Sequence, residues 1–239
     1  NLGKNTVTDF LAVSISSTDY VGHSFGPNSI EIEDTYLRLD RDIADFLNFL
    51  DTRVGKGNYT LFLSADHGVA HIPSFFKEHK IPGGTFEDAD ILKELNARTE
   101  EKFDIKKAVQ TVMNYQVYLN KKLIKEQGKS IEDVKAFIMG LLKEKDFIIS
   151  AVDLEEIGES SLPQPQKDMM INGYNPKRSG DIQFSFKAGY FDGWTKGTTH
   201  GAWNPYDAHI PCVFFGWGVK QGKTYRTTSM ADIAPTLAA

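Results

Sequence analysis

The residues able to do chemistry in this chain of 239 residues fall in three short stretches. In Thr60-Leu61-Phe62-Leu63-Ser64-Ala65-Asp66-His67-Gly68, an apolar, β-compatible run gives way abruptly to Asp66 and His67. A second apolar run, Phe10-Leu11-Ala12-Val13-Ser14-Ile15, leads into a polar loop that carries Asp19 and, four residues on, His23. The third stretch, Gly197-Thr198-Thr199-His200-Gly201, places a histidine beside glycine far down the chain. Ionisable groups just beyond buried strands mark the carboxyl edge of an open α/β sheet, where such folds bind ligands. Carboxylate oxygen and imidazole nitrogen are donors that Zn²⁺ or Mn²⁺ accepts. One ion takes three or four donors. Asp19, His23, Asp66, His67 and His200 therefore suit two ions sharing a site that lacks at least one donor. Adjacent residues on a straight strand face opposite ways, so Asp66 and His67 converge only if the chain turns, which Gly68 permits. Taken alone, residues 64–68 read equally as a surface turn closing a strand.

The elements that must position these groups follow from periodicity. After Gly26-Pro27-Asn28, the residues Ile32, Tyr36, Leu39, Ile43, Phe46, Leu47 and Leu50 recur every three or four places, the stripe of an amphipathic helix. Asn28 and Glu31 stand at capping-box spacing, and Gly55 and Gly57 close the helix. With apolar runs on either side, residues 10–63 read as a βαβ unit, hence a parallel strand pair with a right-handed crossover. From about Asp90 the texture changes. A helix over 91–99, a strand over 116–119, a helix over 130–145 capped by Ser130, and a strand over 147–152 contain no ligand-type pattern. They read as an inserted α+β cap subdomain, 91–166, within a core formed by 1–90 and 167–239. Residues 162–166 read as the linker back, 182–186 as a strand, and 210–215 as the last strand. Tyr190, Phe191 and Trp194 suit packing beneath the His200 loop better than substrate stacking.

Composition narrows the class. Hydrophobic residues at 41% and charged residues at 25% are ordinary for a globular chain able to bury a core. A net charge of −5 gives no electrostatic reason for a nucleic-acid or anionic-membrane partner. No apolar run approaches the ~20 residues of a membrane span. Cys212 is the only cysteine, so no internal disulfide or thiolate cluster forms, and its apolar neighbours suit a small buried hydrophobe. His71 and His79 suit surface positions better than substrate contact, and Lys121, Lys122, Lys125 and Lys129 suit a solvated face.

Thr18-Asp19-Tyr20-Val21-Gly22-His23-Ser24-Phe25-Gly26-Pro27, Ser64-Ala65-Asp66-His67-Gly68, and His200-Gly201 followed by Asp207-Ala208-His209-Ile210-Pro211 together resemble the alkaline phosphatase superfamily. Within it they resemble the type I phosphodiesterase/nucleotide pyrophosphatase branch, most closely its single-chain periplasmic alkaline phosphatases. The resemblance implies an α/β fold, a mostly parallel sheet flanked by helices, with the cap inserted and the N-terminal part of the fold missing. It implies two Zn²⁺ ions, one on Asp19, His23 and His200 and the other on Asp66 and His67. It further implies phosphate monoester hydrolysis through a phospho-Thr or phospho-Ser intermediate, with the nucleophile and one metal ligand upstream of Asn1. None of Thr18, Thr198 and Thr199 follows a strand into a helix N-terminus in this reading, so none substitutes for it. The expected partner is a small phosphate ester, with no nucleic acid, no membrane span, a monomeric state and a periplasmic or secreted location. Phosphodiesterase, cofactor-independent phosphoglycerate mutase and an inactive metal-binding fragment are the alternatives.

Overall fold

The computed structural model describes residues 2–193 and 196–238. In chain order its elements are α1 (Ser17–Phe25), α2 (Ile30–Leu50), β1 (Thr60–Ser64), α3 (Pro73–Glu78), β2 (Gly84–Phe86) and α4 (Asp88–Phe103). There follow β3 (Val109–Met113), β4 (Gln116–Leu119), α5 (Lys121–Glu126), α6 (Ile131–Lys143), β5 (Ile148–Asp153) and α7 (Gln164–Gly173). The chain closes with β6 (Ile182–Phe186), β7 (Tyr190–Asp192), α8 (Pro205–Ala208), β8 (Cys212–Gly216) and α9 (Ile233–Ala238). It divides into two compact units, one of residues 11–42 and 65–210, the other of residues 1–10, 43–64 and 211–239.

The larger unit is built on a four-stranded antiparallel sheet in the order β3-β4-β6-β5. Three of its strands lie within 91–166, and the fourth, β6, lies beyond that segment. Helix α6 has the 3.6-residue pattern that makes one face apolar, and Val134, Ile138, Leu141 and Leu142 are buried along it. Ser130 caps this helix by accepting the Asp133 N–H. Ile91, Leu95 and Thr99 form the matching stripe of α4. These helices close over Val117, Ile182, Phe184 and Phe186 to make the main core. Lys135 is buried to 3% exposure but held by Asp153 and Glu155 at 2.8 and 2.9 Å, so its charge is paired. Lys121 bonds Asp181 and Glu155, and Lys122 reaches Glu126, leaving these lysines engaged with acids of their own surface.

A second, parallel pair in the same unit joins β2 to β7. The turn from β2 into α4 buries part of the Asp88 carboxyl, and Asp192 accepts the Asp88 N–H at 3.0 Å. Burial, then Asp192, then Glu87 push the Asp88 carboxyl up from 3.8 to about 6. Its folded-state value is raised, so its contribution favours the fold fully below pH 3.8 and is lost as pH rises through about 6. Asp88→Asn should therefore stabilise the chain above pH 6 and change little near pH 4. Each tenfold gain in proton affinity is about 1.36 kcal/mol, so the rise, discounted for the group's partial exposure, corresponds to roughly 1–2 kcal/mol. Thermal unfolding of both forms across that range checks it; a gain independent of pH would exclude the ionisation as its cause.

The smaller unit contains β1 paired antiparallel with β8, from Thr60 opposite Gly216 to Ser64 opposite Cys212. Here the structure corrects several expectations. Residues 10–15 form no strand, and Phe10, Leu11 and Val13 are 68%, 55% and 63% exposed. An apolar run becomes a strand only beside a ladder partner, and 10–15 has none among the described residues. The βαβ unit with its parallel pair is absent there, and most ladders are antiparallel, within an α/β arrangement of sheets and helices. Cys212 is exposed rather than buried, because β8 belongs to a two-stranded ribbon. Ser29, not Asn28, caps α2, its hydroxyl accepting the Ile32 N–H. The stretch read as a linker, 162–166, already enters α7, with proline tolerated in a helix's first turn.

Candidate metal centre

All five donors lie in the larger unit. Asp19 and His23 were expected on a loop and instead sit on α1, where a spacing of four residues puts both side chains on one face. His23 Nε2 lies 3.4 Å from Asp19 Oδ1. His200 joins them, and one ligand atom from each of Asp19, His23 and His200 lies within 4.8 Å of the others. His67 Nε2 is 3.6 Å from the same Asp19 oxygen and 3.7 Å from Asp66 Oδ1. The His67 ring stacks on that of His200 with centroids 3.3 Å apart, and the His23 ring lies 5.2 Å from it. Asp66 is the most open of the set, its side chain 88% exposed. The Asp19 carboxylate is therefore common to both donor groups inferred from the sequence.

Tautomers point the same way. His23 Nδ1–H donates to the Thr198 carbonyl at 2.7 Å, and His67 Nδ1–H donates to the Gly68 carbonyl at 2.8 Å. Each leaves Nε2 with a free lone pair, the arrangement by which backbone carbonyls orient metal-binding imidazoles. Burial first, then His67 and His23, lowers the His200 pKa, which keeps that ring neutral and able to ligate. Two ligands on a tetrahedral ion with bonds of 2.0–2.2 Å stand about 3.3–3.6 Å apart. The 3.4 Å between His23 and Asp19 matches that edge. Donor types, spacing and tautomers fit a divalent metal ion.

The loop carrying His200 is clasped from three sides. The Thr198 N–H donates to the His23 carbonyl, the Ala70 N–H donates to the Thr199 carbonyl, and the Tyr115 hydroxyl donates to the His200 carbonyl at 3.1 Å. Gly197, at φ +80°, passes so close to the His23 carbonyl that a Cβ would stand 2.6 Å from its oxygen. Tyr115 projects from a two-residue turn in which Asn114 and Tyr115 both have positive φ, a conformation a tyrosine adopts at a cost. Burial pushes its phenol well above the ordinary range, so it stays a hydrogen-bond donor. Nothing in the sequence marks Tyr115 except its place just ahead of the strand over 116–119.

Gly68 is needed for a reason other than the turn expected of it. A Cβ there would overlap the Tyr206 carbonyl oxygen. The Gly68 and Val69 N–H groups donate to the Asp207 and Tyr206 carbonyls at 2.7 and 3.0 Å, pinning the Asp66-His67 loop to α8. Asp207 is 4% exposed, and burial raises its carboxyl to about 6 against the opposing pull of the Ala202 and Gly201 amides and His67.

The remaining sequence candidates are otherwise engaged. His71 donates to Asn28 Oδ1 and stacks on Phe75, which also stacks on His79. Thr198 donates its hydroxyl to the Ala70 carbonyl and is buried. Thr18 stands in the first turn of α1, but no strand precedes it among the described residues and its hydroxyl donates to the Ile15 carbonyl. Phe191 packs against Ala70 and Phe76, and Trp194 lies outside the described residues. Beside His23 opens a cleft of about 600 Å³ lined by Glu87, Phe191, Asp192, Lys196 and Thr198 among others.

Sheets and helices holding a convergent set of carboxylate and imidazole donors define an α/β protein with a candidate metal centre. The chain belongs to the type I phosphodiesterase / nucleotide pyrophosphatase family, whose model matches residues 2–207. It is 52% identical over 237 residues to alkaline phosphatase PafA of Elizabethkingia meningoseptica, a match covering 99% of this chain and 43% of that protein. It is 57% identical over 241 residues to a Myroides odoratus protein named as a calcium-transporting ATPase, covering 99% of this chain and 44% of that one. The crystal structure of wild-type PafA superposes with a TM-score of 0.95 at 52% identity, over 99% of this chain and 45% of that structure. The chain thus spans less than half the length of the relatives it matches. Among the described residues, no helix is long and apolar enough to cross a membrane.

Proposed function

We propose that this chain forms the metal-binding part of a zinc-dependent phosphoric ester hydrolase that acts on phosphate monoesters. The observation that carries the reading is the convergence of Asp19, His23 and His200 on one point. Membership of the phosphodiesterase family and similarity to a protein named alkaline phosphatase support it. Asp19, His23 and His200 would hold one Zn²⁺, and Asp66 and His67 a second. Bound ions would neutralise the anionic ester and lower the cost of attack and departure at phosphorus. The chain's part is positional: Thr198 and Gly68 carbonyls present the two Nε2 lone pairs, and Asp19 sets its carboxylate between them.

In this reading the enzyme works through a phospho-Thr or phospho-Ser intermediate. Its nucleophile would come from outside these residues, a reading that the engagement of the Thr18 and Thr198 hydroxyls by neighbouring carbonyls supports. Residues 91–166 would act as a cap over the substrate, and the enzyme would be a periplasmic or secreted monomer with no nucleic-acid partner. A second reading, hydrolysis of diesters or phosphoanhydrides, is favoured by the family's own description and by the ATPase name of the 57% relative.

The test compares zinc-loaded full-length protein and this chain alone on an aryl phosphate and a bis-aryl phosphate. The full-length protein should prefer the monoester. The isolated chain should bind zinc yet turn over poorly. A larger kcat/KM on the diester would replace monoester hydrolysis by the second reading, and full-length activity unaffected by a chelator would remove the metal from it.

A further inference from the structure

We propose that Asp207 is a positioning residue for the zinc centre: it holds the His67 and His200 loops together and sets a buried negative charge behind them. The inference rests on the metal reading above and adds a role for a residue outside the ligand set.

Two contacts carry the positional half. The Asp207 backbone carbonyl accepts the Gly68 N–H at 2.7 Å, next to His67. Its carboxylate Oδ2 accepts the Ala202 N–H at 2.7 Å, two residues beyond His200. One residue therefore sets the distance between the loops whose imidazoles stack at 3.3 Å. Its own placement is firm, because α8 starts at Pro205 and the Asp207 N–H donates to the Asn204 carbonyl.

The other half comes from Oδ1. That oxygen is buried without a hydrogen-bond partner among the described residues, and Asp207 as a whole is 4% exposed. A bond to one backbone amide needs only one oxygen, which asparagine supplies equally well. Retaining a carboxylate with a second oxygen desolvated and unpaired destabilises the metal-free fold. A dication held by the adjoining imidazoles offsets that cost, because an uncompensated buried charge is stabilised by an opposite one nearby. Residues behind the ligands typically change metal affinity 10–100-fold when altered.

The experiment is Asp207→Asn in the full chain, with zinc affinity by competition against a chromophoric chelator, the visible spectrum of the cobalt-loaded form, and thermal unfolding without metal. The expected result is a 10–100-fold loss of zinc affinity and a shifted cobalt spectrum, with metal-free Tm unchanged or higher. A purely structural residue would lower the metal-free Tm instead. Asp207→Ser, which keeps the backbone carbonyl and removes the carboxylate, gives the same reading should the asparagine form fail to fold. Zinc affinity within threefold of wild type, with wild type binding normally, overturns this inference alone. A wild-type chain that binds no zinc removes the metal reading and this inference with it.

Discussion

Replacing His200 with alanine should release zinc from this chain. Wild-type protein dialysed against metal-free buffer should keep zinc, and the variant should lose it at the same stage. The expectation follows from donor arithmetic. Asp19, His23 and His200 are the group of three whose ligand atoms converge, and without His200 only an i,i+4 pair on one helix remains. Apparent binding of structural zinc by four ligands is about 10–16 kcal/mol at neutral pH. One ligand then carries about 2.5–4 kcal/mol, which is roughly 60- to 900-fold in affinity. The His200 ring also stacks on His67, so removing it frees that imidazole to turn and weakens the second group as well. His71→Ala is the control, because its ring is engaged by Asn28 and Phe75 rather than by the ligand set. Equal zinc content in wild type and His200→Ala would show that the three residues converge without holding an ion.

The candidate donors are legible because metal chemistry is restricted to few side-chain types, and Asp-His-Gly after an apolar strand is a conspicuous juxtaposition. The spacing of Asp19 and His23 also carried a helix signal, four residues on one face, yet the preceding apolar run drew the reading toward strand and loop. That run shows where local pattern fails. Residues 10–15 are mostly apolar and in part β-branched, as strand residues are, but the ladder that would make them one is not among the described residues. β1 was readable from its own residues, whereas its partner β8 lies 150 residues away and the antiparallel direction leaves no local mark. The helices α4 and α6 were legible for the opposite reason, since their stripes and the Ser130 cap are local. Tyr115 and Asp207 escaped because their tasks involve backbone groups: a hydroxyl to the His200 carbonyl, a carbonyl to the Gly68 amide. Every residue has those backbone groups, so composition cannot single out the few that matter. Asp207 stood inside a quoted motif, and only its burial distinguished it from an ordinary surface acid.

Gly68→Ala should destabilise the larger unit by about 3–5 kcal/mol and abolish tight metal binding. The added Cβ would overlap the Tyr206 carbonyl oxygen and stand 3.0 Å from the carbon that bears it and 3.3 Å from Asp207 Cα. These are backbone atoms, so no rotamer change relieves the overlap; the chain must move. Movement breaks or stretches the bonds from Gly68 and Val69 to the Asp207 and Tyr206 carbonyls, which are 2.7 and 3.0 Å long. Two backbone bonds at about 1 kcal/mol each, plus overpacking of about 1–3 kcal/mol, give the range. The displacement carries His67 with it, because the Gly68 carbonyl is what its Nδ1–H grips. The paired control is Gly140→Ala, within α6 and with open space around the new methyl. That change should be neutral or stabilising by up to about 1 kcal/mol, the helix preference for alanine. Chemical denaturation of both variants beside wild type, with zinc content measured on each, separates the cases. Gly68→Ala as stable as wild type would mean that the Asp66-His67 loop does not lie against α8 as described, and the derived geometry of His67 would fall with it.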